Sequence, residues 1–419
     1  MDRYGANCLV HCRNPNQRIK RHYTKEATIM EIHTKGKNII DEAHERVRSI
    51  YGSAIGRPSL EVDTPALLLD LGILRSNLSI MKEGMSSKPA KLRAHVKVHK
   101  SPHIAKMEIE AGAIGVGTAT VWEAIVMARA GISDVFVLNQ VVGPVKTRTL
   151  ALLAREAEAK VAVDDPVNVD ELSLAAVAAG STIGVLIEID TGMHRSGTTD
   201  PKEALALAKK IKDSPGLSFL GMTGYEGHCS LTLDREKRIK LAREAMDFFV
   251  GIADLLEENG LHCEILSAAG TGTWEVTASN PRLTEIQPGS YATMDGYHRQ
   301  LEPRFEQATT VLSTCVSRRP DHIIFDAGSK TVGKTEAVLK GYDYPVYRFD
   351  EEHCNFVIDD TCPLKVSDKV ELLCIYTPFA VSYFEAYHVI EDGRVVDIWP
   401  VLPRGPESQW LLPLLESGE

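Results

Sequence analysis

Between Arg93 and Pro102 the chain reads Arg-Ala-His-Val-Lys-Val-His-Lys-Ser-Pro, which puts two lysines, two histidines and an arginine within eight residues. Period-two alternation sets His95, Lys97 and His99 on one face and Val96 and Val98 on the other. If the valines meet covering helices, Lys97 points into the mouth of a barrel. Desolvation there depresses an ammonium's pKa, and the neutral amine can form a Schiff base. The same composition also describes a basic edge strand in solvent, so the segment has to be read in context.

Three further clusters follow strand-like runs. Glu188-Ile189-Asp190-Thr191-Gly192-Met193-His194-Arg195-Ser196-Gly197 runs from a strand into a polar loop bounded by glycines. Its Arg195 stays charged at any working pH, so beside an aromatic nitrogen it holds that nitrogen unprotonated; a salt-bridged connection is the alternative. Gly224-Tyr225-Glu226-Gly227-His228 offers Tyr225 and His228 as groups that contact a ring or relay protons, or as hydrogen-bonded rim residues. Ser267-Ala268-Ala269-Gly270-Thr271-Gly272-Thr273-Trp274, joined by Gly289-Ser290-Tyr291, brings small residues, hydroxyls and backbone N–H groups to helix starts, where an anion is favoured.

The elements that must position these clusters form a βα alternation from Val62 to about residue 300. Strand-like runs are expected at Ala66–Leu69, Leu92–Val98, Ile114–Gly117, Asp134–Leu138, Lys160–Val163, Ile183–Ile189, Leu217–Tyr225, Ile265–Ala268 and Glu285–Pro288, with helical patterns between them. Some eight units of this kind predict an α/β fold, a closed (β/α)8 barrel rather than an open doubly wound sheet. In such a barrel the functional groups stand at the C-terminal ends of the strands. No Gly-x-Gly-x-x-Gly opens a helix after the first strand, which argues against a dinucleotide fold. From residue 301 to 419 short β runs separated by turns predict an all-β domain. The first strand, near residues 62–70, is a candidate to join it. Residues 1–58 read as a separate, partly helical extension whose amphipathic stretch is Ile39 to Tyr51; the barrel then spans residues 59–300.

Composition excludes other classes. A formal charge of −10 offers no basic field for nucleic acid. No apolar run reaches the length of a membrane span, and no secretory segment follows Met1. Eight cysteines without a Cys-x-x-Cys pair fit a reduced cytoplasm, although Cys8, His11 and Cys12 form a weak metal-like group.

A lysine, an obligate cation and a phosphate cup on different strands of one barrel are what pyridoxal 5′-phosphate needs. From Val62 to Gly405 the chain resembles the fold-type III pyridoxal-phosphate enzymes of the D-threonine aldolase / D-serine dehydratase group, relatives of alanine racemase. The stretches D-T-P-A-L-L-L-D-L (63–71), R-A-H-V-K-V-H-K-S-P (93–102), E-I-D-T-G-M-H-R-S-G (188–197), G-Y-E-G-H (224–228), S-A-A-G-T-G-T-W (267–274), Q-P-G-S-Y-A-T-M-D (287–295), D-A-G-S-K (326–330) and W-P-V (399–401) carry it. The resemblance implies that Lys97, not Lys100, carries the cofactor, with His95 beside it and Arg195 facing the pyridine nitrogen. It further implies that Tyr225 touches the ring, and that Ser267, Gly270, Thr271, Gly272, Thr273, Ser290 and Tyr291 form the phosphate side.

The group also binds a divalent metal near the C-terminus. Registering on Phe384-Glu385 and Trp399-Pro400-Val401 puts Tyr376 and Pro378 at the ligand positions, and neither is a suitable donor pair. No metal is therefore expected at those positions, with His353, Cys354 and His388 the only candidates for a displaced site. Tyr376 is expected instead to contact the substrate's leaving hydroxyl or to supply a proton. The reading is a lyase, aldolase or dehydratase, acting on a small D- or β-hydroxy-amino acid. The alternative is a metal-independent racemase or epimerase using Lys97 with Tyr225 or His228. A cytoplasmic homodimer is expected, its β domain covering the partner's barrel mouth. A lone-barrel cofactor carrier is disfavoured by the C-terminal domain, and a metal-dependent hydrolase by the lack of His-x-His after the first strand.

Overall fold

A computed structural model describes residues 39–404 except 334 and 335. Residues 1–38, with the Cys8–Cys12 group, and residues 405–419 lie outside the described residues. The strands are β1 (Ala66–Asp70), β2 (Lys91–His95), β3 (Gly115–Thr118), β4 (Asp134–Gln140), β5 (Glu158–Val163), β6 (Ile183–Ile189), β7 (Leu217–Gly224), β8 (Ile265–Ala268) and β9 (Glu285–Ile286). They continue with β10 (Thr309–Arg318), β11 (His322–Phe325), β12 (Ala337–Leu339), β13 (Val346–Phe349), β14 (Cys354–Val357), β15 (Lys369–Cys374), β16 (Ala386–Glu391) and β17 (Arg394–Pro400).

Strands β2 to β9 close an all-parallel barrel in chain order, β9 returning to β2 through Lys91↔Glu285 and Leu92↔Ile286. Five of the crossover helices start on a turn residue whose side chain satisfies one of their first N–H groups. Ser101, Thr120, Asp165, Asp200 and Asp234 each accept from the helix they precede, and proline follows at the first helical position after Ser101, Asp165 and Asp200. The N-terminal end of the barrel is plugged by charge. Arg93, 1% exposed, forks onto Glu285 (2.8 and 2.9 Å) and Asp134 (2.6 and 3.2 Å), and Lys160 adds a 2.8 Å bond to Asp134. The opposite end is left for the site.

The remaining strands form a mixed nine-stranded sheet ordered β13-β14-β11-β10-β1-β16-β17, with β15 pairing β10 and β12. Strand β1 sits between β10, antiparallel, and β16, parallel, so the chain starts this sheet before it enters the barrel. The helix Ile39–Tyr51 has the bounds that its amphipathic pattern predicts and lies against β17. Two short helices, Ser329–Val332 and Thr377–Tyr383, interrupt the sheet domain. Among the described residues no helix is long and apolar enough to cross a membrane.

Two expected strands overrun their ladders, and the run read as Glu285–Pro288 is a strand only at Glu285–Ile286. The strand read as Leu92–Val98 stops at His95, and Val96–Val98 form a 3₁₀ turn. Its neighbour β9 has only two residues, so the ladder ends. The N–H groups of His99 and Lys100 turn back to the Val96 carbonyl (3.2 and 2.8 Å) instead.

Candidate active site

The turn after β2 lifts Lys97 out of the ladder and aims it into a cavity of about 530 Å³ at the C-terminal end of the barrel. The turn is held from the sheet domain: Tyr387 donates to the His99 carbonyl (2.8 Å) and the Leu402 N–H to the Lys100 carbonyl (2.7 Å). Lys97 has no hydrogen-bond acceptor or carboxylate partner among the described residues. Burial first, then the Arg195 guanidinium, lowers its pKa. Lys100 differs, because its ammonium is paired with Glu123. His99, expected on the face of Lys97, is turned away and fully buried. Its Nε2 lies 3.2 Å from Glu108 and its Nδ1 accepts from the Ser101 N–H, a consequence of the strand ending at His95.

His95, Arg195, Tyr225, His228, Thr271, Ser290 and Tyr376 line the same cavity. His95 Nδ1 lies 3.0 Å from the Gly117 carbonyl and must donate to it, leaving Nε2 as an acceptor. Burial, then Lys97, holds its pKa well below the usual value, so the ring is neutral. Arg195 arrives on a loop folded around Asp190, whose carboxylate accepts the N–H groups of Gly192, Met193 and His194 (2.9, 2.8 and 3.0 Å). Glu188, at the end of β6, steadies the guanidinium at 3.4 Å and is itself held by Ser196 (3.1 Å) and Gln140.

Tyr225 stands in a slot: a Cβ on Gly227 would lie 2.4 Å from one ring edge and a Cβ on Gly270 2.8 Å from the other. Lys97 Nζ and Arg195 Cζ lie 6.0 and 5.8 Å from its ring centroid. Burial, then Glu226, pushes its phenol up to about 12, so it remains a neutral donor.

The remaining predicted cup residues lie behind the cavity wall. Ser267 donates to Glu285 (2.7 Å) and accepts from Gln287 (2.6 Å). The Thr273 hydroxyl is committed to Glu226 (2.7 Å), and the Gly270 N–H to Thr273 Oγ1 (3.3 Å). Tyr291 offers only its N–H, to Thr271 Oγ1 (3.1 Å); its ring is buried near Glu108. Backbone N–H groups of Thr271, Gly272, Gly289 and Ser290 find no acceptor among the described residues. They are donors without a task in the protein, as a bound phosphate requires.

Sequence reasoning missed what fixes this cup. Glu226, fully buried, accepts from the Ala269 N–H (3.1 Å), Thr273 (2.7 Å) and Thr277 (2.8 Å), tying the β7 loop to the β8 loop. Arg238 reaches the carbonyls of Gly272 (3.0 Å) and Leu301 (3.1 Å) from the helix Arg235–Glu258. It missed His298 as well, which lines the cavity with its Nδ1 2.9 Å from both Asp295 oxygens; the carboxylate–x–x–histidine spacing of one helical turn was the available signal. Tyr376 lines the cavity from the sheet domain, and Pro378 lies in the first turn of Thr377–Tyr383. Among the described residues no three His, Cys, Asp or Glu side chains are grouped to hold a metal ion.

An unpartnered desolvated lysine, a fixed guanidinium, a walled phenol and a cup of free N–H groups together fit pyridoxal 5′-phosphate. The comparisons agree. The alanine racemase N-terminal domain model matches residues 69–296, and a putative serine dehydratase domain model matches residues 308–390. The chain is 35% identical over 359 residues to a D-threonine aldolase from Arthrobacter sp, covering 84% of this chain and 95% of that one. It is 32% identical over 368 residues to a 3-hydroxy-D-aspartate aldolase from Paracoccus denitrificans, covering 84% and 94%. The crystal structure of D-threonine aldolase from Filomicrobium marinum superposes with a TM-score of 0.81 at 34% identity, covering 84% of this chain and 98% of that one. D-threo-3-hydroxyaspartate dehydratase from Delftia sp. HT23, at 24% identity and a TM-score of 0.75, shares the fold over 83% of this chain and all of its own. The protein is thus a member of the fold-type III pyridoxal-phosphate enzymes built on the alanine racemase N-terminal domain, and a relative of D-threonine aldolase.

Proposed function

We propose that this enzyme is a pyridoxal-phosphate-dependent lyase that cleaves or dehydrates a small D-configured β-hydroxy-amino acid. The observation that carries this reading is Lys97, a desolvated lysine with no carboxylate in hydrogen-bond reach, facing Arg195 and Tyr225 across one cavity. Lys97 is the residue that would hold the cofactor, because burial and Arg195 enlarge the fraction of its amine that is neutral and nucleophilic. The N–H groups of Thr271, Gly272, Gly289 and Ser290 would hold the phosphate, and His95 and Tyr225 would flank the ring. When bound, the cofactor supplies an electron sink for the charge left at Cα.

Arg195, charged at every accessible pH, would keep the pyridine nitrogen unprotonated. That limits how much charge the ring withdraws and makes proton transfer at the substrate's oxygen matter more. The Tyr376 phenol, its pKa raised by burial and then by Asp295, stays protonated and can donate to that oxygen. His228, with Nδ1 lacking a partner among the described residues, is a cavity group that could serve the substrate carboxylate. Similarity favours the lyase over the racemase reading. The aldolases align with 84% of this chain, whereas an alanine racemase from Mycobacterium bovis aligns with 39%.

The test is a panel of D- and L-amino acids with and without a β-hydroxyl, assayed with and without chelator for aldehyde, ammonia and inversion. Aldehyde or ammonia from D-β-hydroxy substrates alone, undiminished by chelation, is the expected result; inversion of alanine without either would overturn it. Lys97→Ala should lose both the cofactor absorbance and turnover, while Lys100→Ala keeps the absorbance.

A further inference from the structure

Three histidines line the cavity, and their surroundings differ. His95 spends Nδ1 on a backbone carbonyl, and burial makes it a weak base. His228 has no carboxylate; its Nε2 lies 3.4 Å from Cys229 Sγ. His298 alone among the cavity histidines is paired with a carboxylate. Asp295, 1% exposed, takes the His298 backbone N–H (2.7 Å) and faces Nδ1 with both oxygens at 2.9 Å. A carboxylate on Nδ1 fixes that nitrogen as the protonated one and presents the Nε2 lone pair outward, and it stabilises the imidazolium that forms when Nε2 takes a proton.

The pair is also held against the sheet domain. The Gly296 N–H bonds the Cys374 carbonyl (3.1 Å), the Tyr297 N–H bonds the Ile375 carbonyl (3.0 Å), and the Tyr297 phenol bonds the Ser230 carbonyl (2.6 Å). This brings the imidazole to Tyr376, with 6.3 Å between ring centroids. A base and a phenolic donor thus stand side by side on a wall of the cavity built by a different segment from the one that carries Lys97.

From this geometry, and resting on the lyase reading above, we infer that His298, oriented by Asp295, is the base that takes the proton of the substrate's β-hydroxyl, with Tyr376 hydrogen-bonded to the same oxygen. Nε2 accepts the hydroxyl proton, the C–O bond becomes the aldehyde carbonyl, and the Cα–Cβ bond breaks with its electron pair remaining on Cα. Cα then takes a proton from solvent and His298 returns its proton to solvent, so protons balance. Asp295 is a positioning residue. The charged or titratable groups around His298 are Asp295 and Tyr297 from its own segment, Tyr376 from the sheet domain, and His95, Lys97, Glu188, Arg195, Tyr225 and His228 on the other cavity walls.

The test uses the holoenzyme with D-threonine and D-phenylserine as probes. His298→Gln should lower kcat for aldehyde release by ~100-fold or more, the usual worth of a positioned general base. The cofactor absorbance should stay in place, and exchange of the Cα proton of glycine, which involves no β-oxygen, should change little. Asp295→Asn should lower kcat for aldehyde release by roughly tenfold with KM little changed, because the amide no longer fixes the tautomer that presents Nε2 to the substrate. His298→Ala should regain rate with added imidazole. Aldehyde release at the wild-type rate in His298→Gln overturns the inference and leaves the lyase reading standing. So does a parallel loss of glycine exchange, which would mark general damage. A wild-type enzyme that leaves both probes intact overturns the reading and the inference together.

Discussion

Tyr225 shows how much of this site depends on what its neighbours lack. Its ring is walled by Gly227 and Gly270, and side chains on either would lie inside contact distance. Gly270→Ala should push the ring toward the cavity and weaken cofactor binding by roughly tenfold, about 1.4 kcal/mol. The thermal midpoint of the cofactor-free protein should change little, since the added methyl meets a ring edge bordering the cavity. Titration of that protein with pyridoxal 5′-phosphate, followed by absorbance, reads this directly. The glycines themselves are visible in the sequence, but the slot is not, because it joins loops 43 residues apart. His99 fails for a related reason. Alternation assigns it to the face of Lys97 only while the strand lasts, and β2 ends four residues earlier, at His95. His298 was legible in principle through its spacing from Asp295, yet a carboxylate and a histidine one turn apart carry no signal of facing a cavity until the Tyr376 segment is packed beside them.

At the scale of elements, the barrel's charged plug separates stability from chemistry. Burial alone would lower the pKa of Arg93, but Glu285 and then Asp134 more than offset it, so the guanidinium stays charged inside the barrel. Glu285→Gln removes its main counter-charge, leaves a buried cation underpaired and should destabilise the fold by about 3 kcal/mol. Chemical denaturation of the cofactor-free protein measures this, and the enzyme that remains folded should keep its cofactor spectrum, because the plug lies at the far end from Lys97. The barrel strands are legible because they are short apolar runs, five of them followed by a helix with a side-chain cap. Strands β12 and β13 are not, because Ala337–Leu339 has only three residues and Val346–Phe349 alternates weakly at a sheet edge. The helix Thr377–Tyr383 lies inside the region expected to be all β, where its aromatic and branched residues hide it, although the proline in its first turn marks a helix start.

At the scale of the molecule, the helix Ile39–Tyr51 clasps barrel and sheet together. His103, near the start of the helix Pro102–Glu110, stacks on Trp399 of β17 with centroids 5.0 Å apart and planes within 11°, and His44 of the clasp meets its ring edge-on at 4.8 Å. Asp397 of β17 completes the contact through Arg48 (2.9 and 2.6 Å). Burial, then His44, pulls the His103 pKa down to about 4. The unfolded chain takes up that proton near pH 6.5, so between about 6.5 and about 4 the unfolded state binds more protons and stability falls as pH falls. Below about 4 both states are protonated and this contribution is spent; above about 6.5 it is fully present. Asp397 acts in a lower window. Its burial raises the pKa, but Arg48 and backbone bonding hold it below the ordinary carboxylate value, so its share of stability is lost only as pH falls through that depressed pKa. His103→Phe keeps a flat ring on Trp399 and removes the titration. Urea midpoints at pH 7 and pH 4.5 should therefore lie closer together in the variant, the slope of stability against pH easing by about 1 kcal/mol per unit, close to one proton's worth. Equal slopes in variant and wild type would mean that the clasp opens before His103 is protonated, and that the sheet domain and barrel hold together without it.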